Sequence, residues 1–169
     1  DLLTISEYYP LMDKCEDLKV AWVGDGNNMA HSWIHAAAML PFELRLSTPK
    51  GYEPMSEVVR DALGKGARLE FFDDPKDAVK DTHFVNTDAW ASMGQEDEKD
   101  DRNKVFVPYQ VDSELMALAA DNARFMHCLP AYRHQEVTEE VMESQASIVF
   151  DQAENRLHMQ KAIMEFVSI

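Results

Sequence analysis

The chain has 169 residues, 46% of them hydrophobic, which is enough for one well-packed core and too short for two. It carries 31 acidic and 16 basic side chains, and the resulting formal charge of -15 argues against nucleic acid and anionic membrane surfaces as partners. The sequence has no apolar run of about 18 residues and only two cysteines, so we expect a soluble protein of a reducing, cytoplasmic compartment.

Short apolar stretches alternate with helical patterns along the chain, and this alternation predicts repeated βα units. We therefore expect an α/β fold, a Rossmann-like three-layer domain in which helices flank a mainly parallel central sheet. Strands are predicted at residues 19–23, 43–47, 68–72, 82–87, 124–128 and 147–150, and helices at about 28–40, 55–64, 75–80, 113–120, 138–143 and 152–167.

The first polar cluster is Gly-Asp-Gly-Asn-Asn at residues 24–28, between the first predicted strand and the following helix. Helix starts at this edge of a parallel sheet commonly bind ligands. The cluster is a poor dinucleotide fingerprint, because Met29 stands where a third glycine is needed. The adjacent Asn27 and Asn28 favour hydrogen bonds to a polar ligand, and the alternative is a helix N-cap with a solvent-facing amide.

A second cluster begins at Asp88, after the fourth predicted strand. Its carboxylate is a natural counter-ion for a ligand ammonium group, and the alternative is a turn or helix cap. Ser92 and Met93, followed by Gly94, would supply a hydroxyl, an apolar contact and a hinge. Residues 95–102 then place seven charges in eight positions, which predicts either a solvated helical turn or a mobile segment over a site.

The motif His-Cys-Leu-Pro at residues 127–130 places an imidazole and a thiol where the fifth predicted strand ends. Cysteine and histidine are also common in protein cores, so a structural role is the alternative. Adjacent strand residues point to opposite faces, which argues against a Cys128 nucleophile activated by His127. Two distant cysteines with scattered histidines do not match zinc-ligand spacing, and we predict no metal.

Two arginines are candidates for anion contacts, Arg133 and, near the start of the terminal helix, Arg156. Either could instead form a surface ion pair. Together the clusters describe a site for an amino acid, with amides for its carboxylate and Asp88 for its ammonium group. Cys128 and the Leu129 backbone would lie near the reacting end.

Four motifs occur in the order Gly-Asp-Gly-Asn-Asn-Met-Ala-His-Ser (24–32), Asp-Ala-Trp-Ala-Ser-Met-Gly (88–94), His-Cys-Leu-Pro (127–130) and Phe-Asp-Gln-Ala-Glu-Asn-Arg (150–156). With this set the chain resembles, over nearly its whole length, the carboxyl-terminal, amino-acid-binding half of the ornithine carbamoyltransferases. The resemblance implies transfer of the carbamoyl group of carbamoyl phosphate to the δ-amine of ornithine, giving citrulline and phosphate, without a metal or organic cofactor.

The resemblance also implies roles for individual residues. Ornithine would be bound by Asn28, Asp88, Ser92, Met93, Cys128 and Leu129, and carbamoyl phosphate by His127, Cys128, Leu129 and Arg156. Asp88 would bind the α-ammonium group, and Asp88 and Cys128 would be the catalytic residues, with Cys128 beside the δ-amine. This amine must be unprotonated to attack.

Two motifs of the family's carbamoyl-phosphate-binding half, Ser-Thr-Arg-Thr and His-Pro-x-Gln, do not occur in the sequence. The resemblance thus implies one ornithine-binding domain, residues 1–169, without the carbamoyl-phosphate-binding domain, and we expect weak ornithine binding and no turnover by this chain alone. Residues 1–10 and 152–169 correspond to interdomain helices, so we expect exposed apolar surface and self-association or disorder at both ends. The parent enzyme would be a cytoplasmic homotrimer of arginine biosynthesis.

Other functions remain open at this stage. One is a stand-alone amino-acid-binding or regulatory module that lacks catalysis, and another is a carbamoyltransferase for a different amine such as putrescine. Aspartate is less favoured, because its second carboxylate needs cationic partners, whereas Asp88 and the neutral residues 92–94 supply none. A nucleotide-dependent oxidoreductase is disfavoured by the failed glycine pattern.

Overall fold

Five parallel strands form the central sheet of the computed structural model, which describes residues 1–91 and 99–168. The strands are β1 (Lys19–Val23), β2 (Glu43–Ser47), β3 (Arg68–Phe71), β4 (Phe84–Thr87) and β5 (Arg124–His127), in the order β3-β2-β1-β4-β5. The chain builds the sheet outward from β1 to β3 and then crosses to β4 and β5. The predicted α/β fold is confirmed, and the crossover places a topological switch point between the carboxyl ends of β1 and β4, where such sheets bind ligands.

Helices cover both faces of the sheet. In the described residues they are α1 (Leu2–Tyr8), α2 (Leu11–Lys14), α3 (Asn28–Met39), α4 (Ser56–Gly64), α5 (Pro75–Val79), α6 (Lys99–Phe106), α7 (Ser113–Met116), α8 (Glu139–Met142) and α9 (Val149–Val167). Short 3-10 turns follow α2 and α6, at Cys15–Asp17 and Val107–Tyr109. No helix in this part of the chain combines the length and apolar character that a membrane span needs.

Side-chain alternation along β1 divides the core into two layers. Val20 and Trp22 pack with α1, α3 and α4, whereas Ala21 and Val23 pack with α5, α7 and α8. All four side chains are fully buried. Burial on both faces explains why β1 is an unbroken apolar run rather than an alternating one, as is typical of parallel strands.

The predicted strand at residues 147–150 is wrong. Ser147 forms only an isolated bridge with Phe125, and α9 already begins at Val149. The Phe125 N–H donates to the Ala146 carbonyl and the Ile148 N–H donates to the Phe125 carbonyl, so this segment touches the edge of β5 and then turns into a helix. Ile148 and Val149 are apolar because they anchor the start of α9 in the core.

The two terminal helices differ in how they pack. Ile5 of α1 is fully buried, and the first turns of α9 are held by buried Gln152 and Asn155. Beyond Asn155, α9 is exposed to solvent, with apolar side chains at Leu157, Met159, Ile163, Met164, Phe166 and Val167. The expected exposed apolar surface is therefore present on α9.

Candidate functional site

The loop after β1 approaches its neighbours closely because it contains two glycines. Gly24 has a φ of 128°, and a Cβ there would lie 3.2 Å from the Thr87 Oγ1. A Cβ on Gly26 would lie 2.3 Å from the backbone nitrogen of Pro54. Since L side chains rarely adopt the first conformation, Gly24 is needed for the path of the loop beside the end of β4. Since no side chain fits at the second position, Gly26 is needed to bring the loop against the loop after β2.

Asn27 joins this loop to the end of β4. Its side-chain oxygen caps α3 by accepting from the backbone N–H groups of Met29 at 2.9 Å and Ala30 at 3.3 Å. Its Nδ2 donates to the Asp88 Oδ2 at 2.9 Å. Asn28 is the first residue of α3 and is exposed. Asn27 is thus the N-cap of α3, and its amide bonds Asp88 instead of facing solvent. Hydrogen bonding of either asparagine to a ligand stays a prediction.

Asp88 lies at the centre of the cluster. Its Oδ1 accepts two hydrogen bonds, one from the backbone N–H of Ala89 at 2.8 Å and one from the Cys128 Sγ at 3.2 Å. Its Oδ2 accepts a hydrogen bond from the Asn27 side chain. These donors come from the loops after β1, β4 and β5. The structure therefore brings three of the predicted clusters together around one half-buried carboxylate.

Cys128 carries a neutral thiol. Burial, and next the nearby Asp88 carboxylate, raise the pKa of Cys128 to about 12. A group with this pKa is protonated at neutral pH and donates its proton to Asp88. Since the thiolate is the nucleophilic form of cysteine, the structure agrees with the expectation that Cys128 is not an activated nucleophile.

We expect iodoacetamide to alkylate Cys128 far more slowly than an ordinary thiol, because a pKa rise from 9 to 12 lowers the thiolate fraction at pH 8 by about 1,000-fold. The rate, followed by peptide mass mapping, should rise with pH and reach no plateau below pH 11. The urea-unfolded chain is the control, in which Cys15 and Cys128 should react alike. Fast alkylation of folded Cys128 at pH 8 would contradict this assignment.

The His127 side chain lies in the core at the end of β5. It is fully buried, and its Nδ1 accepts the Leu129 N–H at 2.9 Å. Because Nδ1 is an acceptor, the ring N–H is assigned to Nε2, which lies 3.3 Å from the Glu136 Oε1. Glu136 is also fully buried, and its Oε1 accepts the Tyr132 N–H at 2.6 Å. In this structure His127 and Glu136 thus support the loop that carries Cys128 and Leu129.

A cavity of about 630 Å³ opens beside this loop, between α1, α3 and α9. Cys128, Leu129 and Arg156 line it, together with Met29 and Trp33 of α3. Arg156 itself is exposed. Three of the predicted substrate-binding residues therefore share one open space, and Asp88 adjoins it through its hydrogen bond with Cys128. Arg133, in contrast, forms surface ion pairs with Glu139, at 3.3 Å, and with Glu143.

Sequence reasoning missed a buried ion pair between Arg102 and Asp25. The Arg102 Nε donates to the Trp90 carbonyl at 2.6 Å, and the guanidinium lies 4.7 Å from the centre of the Tyr52 ring. Burial raises the pKa of Asp25, and Arg102 opposes this rise. At Arg102 the interpretation of residues 95–102 as a solvated turn is therefore wrong, because the Arg102 side chain is buried.

Ser92 and Met93, which were predicted to bind ornithine, lie outside the described residues, as do residues 94–98 of the charged run. Among the described residues, one group could present three ligand atoms to a metal ion, formed by Asp88, His127 and Cys128 with donor atoms within 4.8 Å of one another. In this group the His127 Nδ1 accepts a backbone hydrogen bond and the Cys128 thiol donates one. A metal would have to replace both bonds, and the absence of a metal stays a prediction.

Comparison with known proteins gives consistent results. The model of the family described as "Aspartate/ornithine carbamoyltransferase, Asp/Orn binding domain" matches residues 16–167. The ornithine carbamoyltransferase of Oleidesulfovibrio alaskensis is 58% identical over 167 residues, which are 99% of this chain and 55% of that protein. That of Archaeoglobus fulgidus is 54% identical over 97% of this chain and 52% of that protein. The chain therefore spans about half the length of the curated relatives it matches.

Solved structures show the same fold. The anabolic ornithine carbamoyltransferase of Campylobacter jejuni has a TM-score of 0.90 at 39% identity, covering 99% of this chain and 56% of that one. The ornithine carbamoyltransferase of Pyrococcus furiosus has a TM-score of 0.80 at 48% identity, covering 87% of this chain and 48% of that one.

Proposed function

Because the chain belongs to the aspartate/ornithine carbamoyltransferase family, through its Asp/Orn-binding domain, we propose that it forms the ornithine-binding part of an ornithine carbamoyltransferase. The reaction transfers the carbamoyl group of carbamoyl phosphate to the δ-amine of ornithine and yields citrulline and phosphate. The observation that carries this proposal is the cluster at the topological switch point, in which Asn27, Asp88 and Cys128 are hydrogen-bonded beside an open cavity.

Asp88 supplies the charge that an amino-acid substrate needs. A half-buried carboxylate already held by neutral donors can accept one more donor, and the α-ammonium of ornithine would supply a charge-assisted bond there. Asn28, Ser92 and Met93 complete the ornithine site in this proposal. The δ-amine then extends toward Cys128 and Leu129, which line the cavity.

Burial beside Cys128 favours the reactive form of the δ-amine. Burial disfavours a charged ammonium group, just as it keeps the Cys128 thiol neutral. Once the δ-ammonium has lost a proton, the neutral nitrogen forms a bond to the carbamoyl carbon, the bond from that carbon to the phosphate oxygen breaks, and phosphate leaves with the electron pair. The nitrogen then gives up a second proton, which the departing phosphate accepts. In this proposal Arg156, which lines the cavity, offsets the charge of the phosphate. His127 holds the Leu129 backbone, and its contact with carbamoyl phosphate stays a prediction.

Calorimetric titration of the chain with ornithine, putrescine and aspartate tests the substrate. We expect ornithine to bind best, putrescine to bind at least about 10-fold more weakly because it lacks the α-carboxylate, and aspartate to give no measurable heat. Aspartate should fail because neither Asp88 nor the neutral residues 92–94 supply a cationic partner for its second carboxylate. Binding of aspartate as tight as that of ornithine would overturn the assignment.

A chimera tests the reaction. Residues 16–167 replace the matched segment of the Oleidesulfovibrio alaskensis relative, which is 58% identical to this chain. We expect the chimera to form citrulline, and the 169-residue chain alone to form none. A folded chimera that binds ornithine without turnover would favour the second candidate, an amino-acid-binding module without catalysis.

We further propose that the working enzyme is a cytoplasmic homotrimer of arginine biosynthesis, in which a carbamoyl-phosphate-binding domain is the partner of this one. Residues 1–10 and 152–169 would cross between the two domains. The exposed apolar side chains of α9, among them Ile163 and Phe166, support this part of the proposal, since solvated apolar surface of this kind marks an interaction site.

A further inference from the structure

Gln152 connects three parts of the site with one side chain. It lies in the first turns of α9 and is 4% exposed. Its Oε1 accepts the backbone N–H of His127 at 2.9 Å, at the end of β5, and its Nε2 donates to the Asp1 Oδ1 at 2.7 Å, at the start of α1. It also lines the cavity together with Cys128 and Arg156.

The two hydrogen bonds that flank Cys128 are both made to side chains. Before Cys128, the His127 N–H is bound by Gln152, and after it the Leu129 N–H is bound by the His127 imidazole. Leu129 has a φ of 56°, a conformation that L residues rarely adopt, so the path of this loop depends on the groups that hold it. A change at either acceptor, Gln152 or His127, is therefore expected to shift the backbone that carries the Cys128 thiol.

We propose that Gln152 is a positioning residue that holds the backbone of residues 127–129 so that the Cys128 thiol meets Asp88, and that it links this backbone to α1 through Asp1. This proposal extends the proposed function and rests on it for the role of the site in binding ornithine. The hydrogen bonds of Gln152 do not depend on that function. Gln152 touches no reacting atom and acts through Cys128.

The contacts between α1 and α9 explain how a movement of α1 would reach the loop that carries Cys128. Asn155, three residues after Gln152, donates to the Thr4 Oγ1 at 3.2 Å and to the Glu7 Oε2 at 2.6 Å. Together the two amides fasten α1 to α9 by hydrogen bonds along one face. Of the two, Gln152 also reaches β5, so a displacement of α1 relative to the sheet is transmitted to the loop that carries Cys128.

Two variants separate the two bonds of Gln152. Gln152→Leu keeps the size of the side chain but leaves the His127 N–H without its acceptor. Gln152→Glu keeps an acceptor for His127 and places a carboxylate against that of Asp1. Gln160→Leu is the matched control, because Gln160 lies on the same helix and lines the same cavity but is exposed.

Alkylation of Cys128 by iodoacetamide as a function of pH is the first measurement, with Cys15 resolved by peptide mass mapping. In Gln152→Leu the thiol loses its alignment with Asp88, so we expect the rate at pH 8 to rise at least about 10-fold. In Gln152→Glu and Gln160→Leu we expect no rise. A rate for folded Gln152→Leu within twofold of wild type would overturn the positioning role.

Hydrogen exchange of the Ile5 amide, which donates to the Asp1 carbonyl in α1, is the second measurement. In Gln152→Glu this amide should exchange at least about 10-fold faster than in wild type, because the carboxylate introduced at position 152 and that of Asp1 then repel at the start of α1. Unchanged exchange would overturn the link to α1, even if Gln152→Leu failed to fold. Neither measurement uses ornithine, so a failure of the proposed function would appear separately, in the titration with ornithine.

Discussion

Replacing Asp88 with asparagine is expected to weaken ornithine binding on the order of 100-fold, because the α-ammonium group then loses its only proposed counter-ion. A charge-assisted hydrogen bond to a partly desolvated group is worth about 3 kcal/mol when one partner is removed. The asparagine has the same shape, so Asn27 and the Ala89 N–H can still be satisfied in part. The effect should therefore fall on binding rather than on folding.

Calorimetric titration and thermal unfolding of Asp88→Asn separate these two effects. Asp121→Asn is the control, since Asp121 is an exposed carboxylate away from the site. In Asp88→Asn the alkylation of Cys128 should also become faster, because Asp88 helps to raise the pKa of this thiol. If Asp88→Asn bound ornithine within threefold of wild type, Asp88 would not be the ammonium partner.

Replacing Arg102 with methionine is expected to lower the free energy of unfolding by about 3 kcal/mol. Methionine keeps part of the packing on Tyr52 and Phe106, whose ring centres lie 4.7 and 5.2 Å from the guanidinium. It leaves the Asp25 carboxylate buried without the cation that now faces it. An uncompensated buried charge is costly, and this cost dominates the expected loss.

Urea unfolding measures this effect against Arg60→Met, a change at an exposed arginine of α4. Adding Asp25→Asn to Arg102→Met should restore part of the stability, since the unpaired charge is then removed. A loss no larger than that of Arg60→Met would show that the pair is not needed to hold α6 to the loop after β1.

The stability of Arg102→Met should also depend on pH. Burial already raises the pKa of Asp25, and without Arg102 this folded-state pKa rises further above the unfolded value of 3.8. The unfolded carboxyl then loses its proton first as pH increases, so stability is lost from about pH 4 upward until the folded pKa is passed. Below pH 4 the difference in the free energy of unfolding between Arg102→Met and wild type should shrink, because Asp25 is then neutral in the folded and in the unfolded state.

Local sequence patterns were sufficient to predict most of the fold and the residues at the centre of the site. The apolar run of β1 and its glycine-containing loop predicted a buried parallel strand with a ligand-binding edge, and Asp88 and Cys128 were recognised at the ends of two further strands. These features depend on residues within a few positions of each other. The strand predicted at residues 147–150 was wrong because the three apolar residues 148–150 at the start of a helix look the same as a short buried strand.

The sequence by itself determined the α/β architecture, the family and the polar groups available at the sheet edge. Only the tertiary structure decided that Asn27 bonds Asp88, that Arg102 is buried against Asp25, and that Gln152 holds the backbone before Cys128. Each of these contacts joins residues from 25 to 77 positions apart. Composition and periodicity report which face of an element is buried, whereas the partner of a buried polar group is set by how distant loops meet at the switch point.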